Sequence, residues 1–118
     1  MPKKPTFNMR LRDNETRVTP YDRLIYTRGH EAWTLALHRV RGPGSEWTVS
    51  DPVSGMKVCT VTASFKGVPV SSGDLPLKHA RAAALVDLDL TVDRVGLDRF
   101  SAVLAAAQNT KPAHPLKG

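Results

Sequence analysis

Ala32-Trp33-Thr34-Leu35-Ala36-Leu37-His38-Arg39-Val40 is the stretch on which the fold turns. In an extended chain Trp33, Leu35 and Leu37 fall on one side and Thr34, Ala36 and His38 on the other, the period-2 signature of a β-strand. Downstream, Arg41-Gly42-Pro43-Gly44-Ser45 has the composition of a turn, and Glu46 to Ser50 resumes the alternation through Trp47 and Val49. Asp51-Pro52-Val53-Ser54-Gly55 reads as a second hairpin loop. Met56, Val58, Thr60 and Thr62 then line one face of a third strand, with Lys57, Cys59 and Val61 on the other. Strands over 32–40, 46–50 and 56–63 make an antiparallel meander.

Working outward toward the N-terminus, Leu24 to Thr27 is a short strand that Arg28-Gly29-His30 ends. Phe7, Met9 and Leu11 alternate with Thr6, Asn8, Arg10 and Arg12, which predicts a strand with one face in the core and a basic face outside. Over Phe7 to Arg12 this resembles the N-terminal strand of ribbon-helix-helix DNA-binding proteins. That family needs two helices directly afterwards, and Pro20 and further strand signals stand there instead, so it is set aside.

Toward the C-terminus, Phe65 to Gly73 holds two glycines, a proline and two serines and reads as a loop or an irregular edge strand. Asp74 followed by Pro76 suits a helix start. The alanine run Ala82-Ala83-Ala84 favours a helix over 75–88, with Leu77, Ala80, Ala84, Leu85 and Leu88 as its apolar stripe. Val86, Leu88, Leu90 and Val92 also alternate, leaving 84–93 open between helix and strand. After Gly96, Leu97, Phe100, Val103, Leu104 and Ala107 recur on one helical face, predicting a second helix over 97–108. The expected fold class is α+β: an antiparallel sheet, a meander of three to five strands, followed by one or two C-terminal helices packed on one face. At 118 residues the chain fits one domain, with an ordered core about 6–109 and loose tails at 1–5 and 110–118.

Composition narrows the function. Cys59 is the only cysteine, so the chain can form neither an internal disulfide nor a cysteine-based zinc site, and it reads as a small core residue. No apolar run approaches the roughly 20 residues of a membrane span, and the expected location is cytoplasmic. His30, His38, His79 and His114 show no metal-ligand spacing, and no nucleophile elbow, phosphate-cradling loop or dinucleotide fingerprint is present. Asp87, Asp89, Asp93 and Asp98 form an acidic cluster, but as a helix Asp87 and Asp89 lie about 200° apart and cannot converge, as a strand Asp87, Asp89 and Asp93 share a solvated face, and Asp98 suits the first turn of the last helix. A non-enzymatic protein without cofactor is therefore expected.

The net charge of +6 is unevenly placed. Residues 1–41 carry nine cations against four carboxylates, a net +5, and five of the seven aromatic residues fall within the first 47. Arginine interleaved with aromatics on a sheet is a means of gripping nucleic acid, by phosphate pairing and base stacking. The expected site residues are Arg10, Arg12, Arg23, Arg28, Arg39, Arg41 and Tyr26, engaging nucleic acid or a nucleoprotein complex, with Arg10 and Arg12 at the centre. The alternative is a protein partner, bound as an inhibitor or adaptor of the kind phages and plasmids carry against host defence systems.

Overall fold

A computed structural model describes residues 4–11, 15–42 and 44–110. The predicted meander is present and gains a strand. β3 (Asp22–Arg28), β4 (Glu31–Arg39), β5 (Trp47–Ser50) and β6 (Lys57–Thr60) form an antiparallel four-stranded sheet in sequence order. Before it, β1 (Thr6–Arg10) and β2 (Thr16–Pro20) pair as a separate hairpin, with Phe7 opposite Thr19 and Met9 opposite Arg17. After it, β7 (Ala63–Phe65) and β8 (Val68–Val70) make a small hairpin where a loop or edge strand was expected. Two helices, α1 (Leu77–Val95) and α2 (Leu97–Thr110), complete the α+β chain. The loose tails expected at either end fall mostly outside the described residues.

The layers follow from the alternation along β4 and β5. Leu35, Leu37, Trp47 and Val49 face the helices, where they join Leu24 and Tyr26 of β3, Ala80, Ala84, Leu88 and Val92 of α1, and Phe100 and Leu104 of α2. Cross-strand register keeps each set on its own face, with Leu37 opposite Val49 and Ala36 opposite Ser50. Ala36 and His38 point the other way. There the β1–β2 hairpin covers them, Phe7 and Met9 packing on Ala36 and the Phe7 ring lying 5.0 Å from the His38 ring. The chain is thus helix layer, central sheet and hairpin, with the second half of β4 buried on both sides.

Several boundaries differ from the sequence reading, each for a visible reason. Helix α1 runs through to Val95, so the alternating segment is helix, because Ala80, Ala84, Leu88 and Val92 stack one turn apart on the sheet. A strand would have buried Val86 and Leu90, which are instead largely exposed, as is Leu85 in part. Asp74 does not cap α1. It belongs to a 3₁₀ turn, Ser72–Asp74, whose own cap is Ser71, and Pro76 precedes α1 without a side-chain cap. In β6 the register shifts between Val49 and Ser50, leaving Val58 without a cross-strand partner. Val58 and Cys59 consequently both pack on the helix-side core. Cys59 is half-buried, and burial, followed by the Asp87 carboxylate, pushes its thiol up to about 12.

Hairpin and sheet are fastened at Gly55, which has φ +79° and lies so near β1 that a Cβ there would sit 2.1 Å from the Asn8 carbonyl oxygen. The Arg10 amide donates to the Gly55 carbonyl at 2.9 Å, and the Arg10 guanidinium donates to the Ser54 carbonyl at 3.2 Å. Gly42 also has positive φ, +99°, but nothing lies within 4 Å of its absent Cβ. Gly55→Ala should therefore cost more than about 2 kcal/mol by combining strain with a backbone clash, and Gly42→Ala only about 1 kcal/mol of strain. Urea denaturation of the two variants checks this; equal losses would show that the contact with β1 carries no weight.

A candidate anion-binding cleft

Where the β1–β2 hairpin meets the ends of β3 and β4, a cleft of about 520 Å³ opens, lined by Lys4, Arg17, Asp22, His38, Arg39 and Arg41 among others. Its cations arrive from three directions. Arg17 extends from β2 and donates to the Val40 carbonyl. Arg39, at the end of β4, donates from Nη1 to the Ser45 and Gly73 carbonyls, each at 2.8 Å, and its Cζ lies 4.3 Å above the Trp47 ring. Arg41 follows β4 in an exposed turn that Ser45 closes, the Ser45 hydroxyl donating to the Gly42 carbonyl at 2.7 Å and accepting from the Arg41 amide at 3.0 Å.

The Arg17 and Arg39 guanidiniums are held by neutral groups. Carbonyl oxygens and an indole face orient a guanidinium without cancelling its charge. The one carboxylate lining the cleft, Asp22, is matched by Lys4 at 3.0 Å. Three positive charges are left without a carboxylate counterpart among the described residues.

Elsewhere two members of the same excess, Arg28 and Arg10, are neutralised or tied into the fold. Arg28 lies at the far end of β3, paired with Asp89 at 3.1 Å and with Asp93, which sit one turn apart on α1. Two carboxylates offset its charge. Tyr26 is buried beneath it, donating its hydroxyl to Asp89 Oδ1 at 2.8 Å, and burial raises its pKa. Arg10 is half-buried as a tie between hairpin and loop, so it does not project freely as the centre of a basic face. Arg23 is exposed on β3, and Arg12 lies outside the described residues. Of the residues expected from sequence, the structure brings Arg39 and Arg41 together and adds Arg17 and Lys4.

The aromatic half of the expectation changes as well. Phe7, Tyr26 and Trp47 are buried, Trp33 is half-buried between Tyr26 and Phe100 at 5.7 and 5.2 Å, and Tyr21 sets its edge on Phe7 at 5.4 Å. These rings build the two cores rather than a platform for bases.

Behind the cleft stands a serine–histidine pair. His38 Nδ1 faces the Arg39 carbonyl at 3.2 Å, so it carries the proton, and Nε2 accepts from the Ser50 hydroxyl at 2.8 Å. A nucleophile and base share this geometry, but His38 is 1% exposed and Ser50 0%, so no substrate can reach the hydroxyl. The pair instead satisfies polar groups under the hairpin. Asp51 is likewise structural: buried, it accepts from the Ser54 hydroxyl at 2.7 Å, from the Val53 and Ser54 amides and from Gln108 Nε2 at 3.2 Å, tying the 51–55 loop to α2. Asp87 holds Thr62 through both its amide and hydroxyl. No group of three His, Cys, Asp or Glu able to hold a metal occurs among the described residues.

Fold and cleft together define a small α+β module with a positively charged seam. No protein-family model, curated protein or solved structure matches the chain.

Burial, partly opposed by the bond to the Arg39 carbonyl, lowers the pKa of His38 below its ordinary 6.5. The unfolded chain takes up a proton below about 6.5 that the folded chain refuses, so stability is greatest above that pH and falls on acidification. The midpoint of urea unfolding should drop between pH 7 and 5, and the imidazole of His38 should remain neutral by NMR at pH 6. A His38 titration at or above 6.5 would contradict the buried, neutral assignment.

Proposed function

We propose that this chain is a non-enzymatic binding module that engages polyanions, nucleic acid foremost, by gripping the phosphate backbone at the seam between hairpin and sheet. The carrying observation is that Arg17, Arg39 and Arg41 line one cleft, the first two with their guanidiniums on neutral hydrogen-bond partners, while the carboxylate there is occupied by Lys4. Guanidiniums held in this way are already ordered, so a phosphate meets them with less loss of side-chain freedom. The buried aromatics favour a backbone contact without base stacking, and hence binding that is indifferent to sequence. A lone thiol and a nucleic-acid ligand suit the cytoplasm, and among the described residues no helix is long and apolar enough to cross a membrane.

A protein-binding inhibitor or adaptor is the second reading. It draws support from Val86 and Leu90, 59% and 56% exposed on the outer side of α1. Salt separates the two, since phosphate contacts weaken steeply with ionic strength and apolar contacts do not.

Fluorescence anisotropy with a labelled duplex across a salt series provides the test. Each phosphate contact adds a slope of about −0.9 on a log–log plot, so Arg17→Ala with Arg41→Ala should flatten the slope by about two, whereas Arg99→Ala on α2 should leave it unchanged. Binding that ignores salt, or a double variant with the wild-type slope, would exclude the cleft as the phosphate site.

A further inference from the structure

Strand β3 stands at the end of the sheet order, and among the described residues its backbone makes no bond outside the ladder with β4. Such an edge is a template for another strand, and proteins usually blunt it with brevity, bulges or charge. The opposite edge does so: β6 has four residues, an irregular register and Lys57. β3 does not. Its seven residues alternate without a bulge, and Ile25 on its outer face is 57% exposed.

The sequence of that edge is complementary to itself. When two copies of Asp22-Arg23-Leu24-Ile25-Tyr26-Thr27-Arg28 run antiparallel about a two-fold axis at Ile25, all seven residues pair, which no other in-phase register achieves. Ile25 meets its own copy, Leu24 meets Tyr26, Arg23 meets Thr27, and Asp22 meets Arg28 at both ends. Residues opposite one another share a face, so apolar side chains meet apolar ones and each charged end meets its opposite. Asp22, already beside Lys4, and Arg28, already beside Asp89 and Asp93, would then merge two ion-pair clusters across the seam.

We propose that β3 is a self-pairing edge through which two copies of this chain join their four-stranded sheets into one continuous antiparallel sheet. The partner is a second copy because the edge offers matched charges to its own sequence. A ladder of this length buries a modest area, placing the association among the weak ones.

Light scattering across a concentration series of the full chain tests this. The mass should rise toward twice 12.9 kDa at high micromolar concentration, and Ile25→Lys, which sets two ammonium groups face to face, should raise the dissociation constant at least about tenfold. Val86→Lys on α1 should leave it unchanged. Ile25→Cys in a Cys59→Ser background should form a disulfide-linked dimer on mild oxidation far faster than Val18→Cys, although Val18 is 66% exposed on β2. A chain that stays monomeric at every concentration, or equal cross-linking at positions 18 and 25, overturns the proposal.

Discussion

Four consecutive residues of β4, Leu35 to His38, are buried, and the rest of the chain is arranged to make that possible. A strand buried on one face needs one covering layer; a strand buried on both needs two, and they must differ because the faces differ. Leu35 and Leu37 present branched aliphatic volume to the helices. The small Ala80 and Ala84 on α1 let that helix lie close to the sheet, while Leu88, Val92, Phe100 and Leu104 fill the remaining space. On the other face Ala36 leaves room for Phe7 and Met9, and His38 is admitted because both its ring nitrogens have partners.

The positive cleft is a consequence of that double coverage. The hairpin seals the sheet only over Ala36 and His38, and where its second strand ends beside the last residues of β4 the two layers part. Cations placed at such a seam cannot be covered by core. Arg17 takes a carbonyl oxygen for support and Arg39 two carbonyl oxygens and the Trp47 ring, which fixes their directions and leaves their charge, and Arg41 is exposed on the same cleft. At the other end of β3 the acidic face of α1 passes close to Arg28 and supplies two carboxylates. The asymmetry in net charge along the sequence thus becomes, in three dimensions, an asymmetry between a neutralised end and an unneutralised one.

The central meander and α2 were legible in the sequence because each rests on a pattern of strong apolar residues with one period. Trp33, Leu35 and Leu37 permit no second interpretation, nor do Leu97, Phe100 and Leu104. The segment from Val86 to Val92 carried two periods at once. Only its neighbours decide, since the sheet offers a surface for residues one turn apart. β2 escaped notice because Thr16 to Pro20 holds a single apolar side chain, Val18, which points outward, while Thr19 faces inward. With β2 missing, Arg17 could not be placed beside Arg39. Charge and aromatic content were visible, but not their destinations: Tyr26 and Trp47 became core, Arg10 became a tie to Ser54, and the acidic residues that neutralise Arg28 lie more than 60 positions further along the chain.

The seam between hairpin and sheet is the proposed place where phosphate binds. An NMR amide titration of the ¹⁵N-labelled chain with a short duplex oligonucleotide addresses it residue by residue. Saturable shifts should concentrate on Arg17, Thr19, Arg39, Val40, Arg41 and Gly42, with Arg28 and the outer side of α1 unmoved. Shifts centred on α1 or on the Arg28–Asp89–Asp93 cluster, or none at all, would contradict that placement.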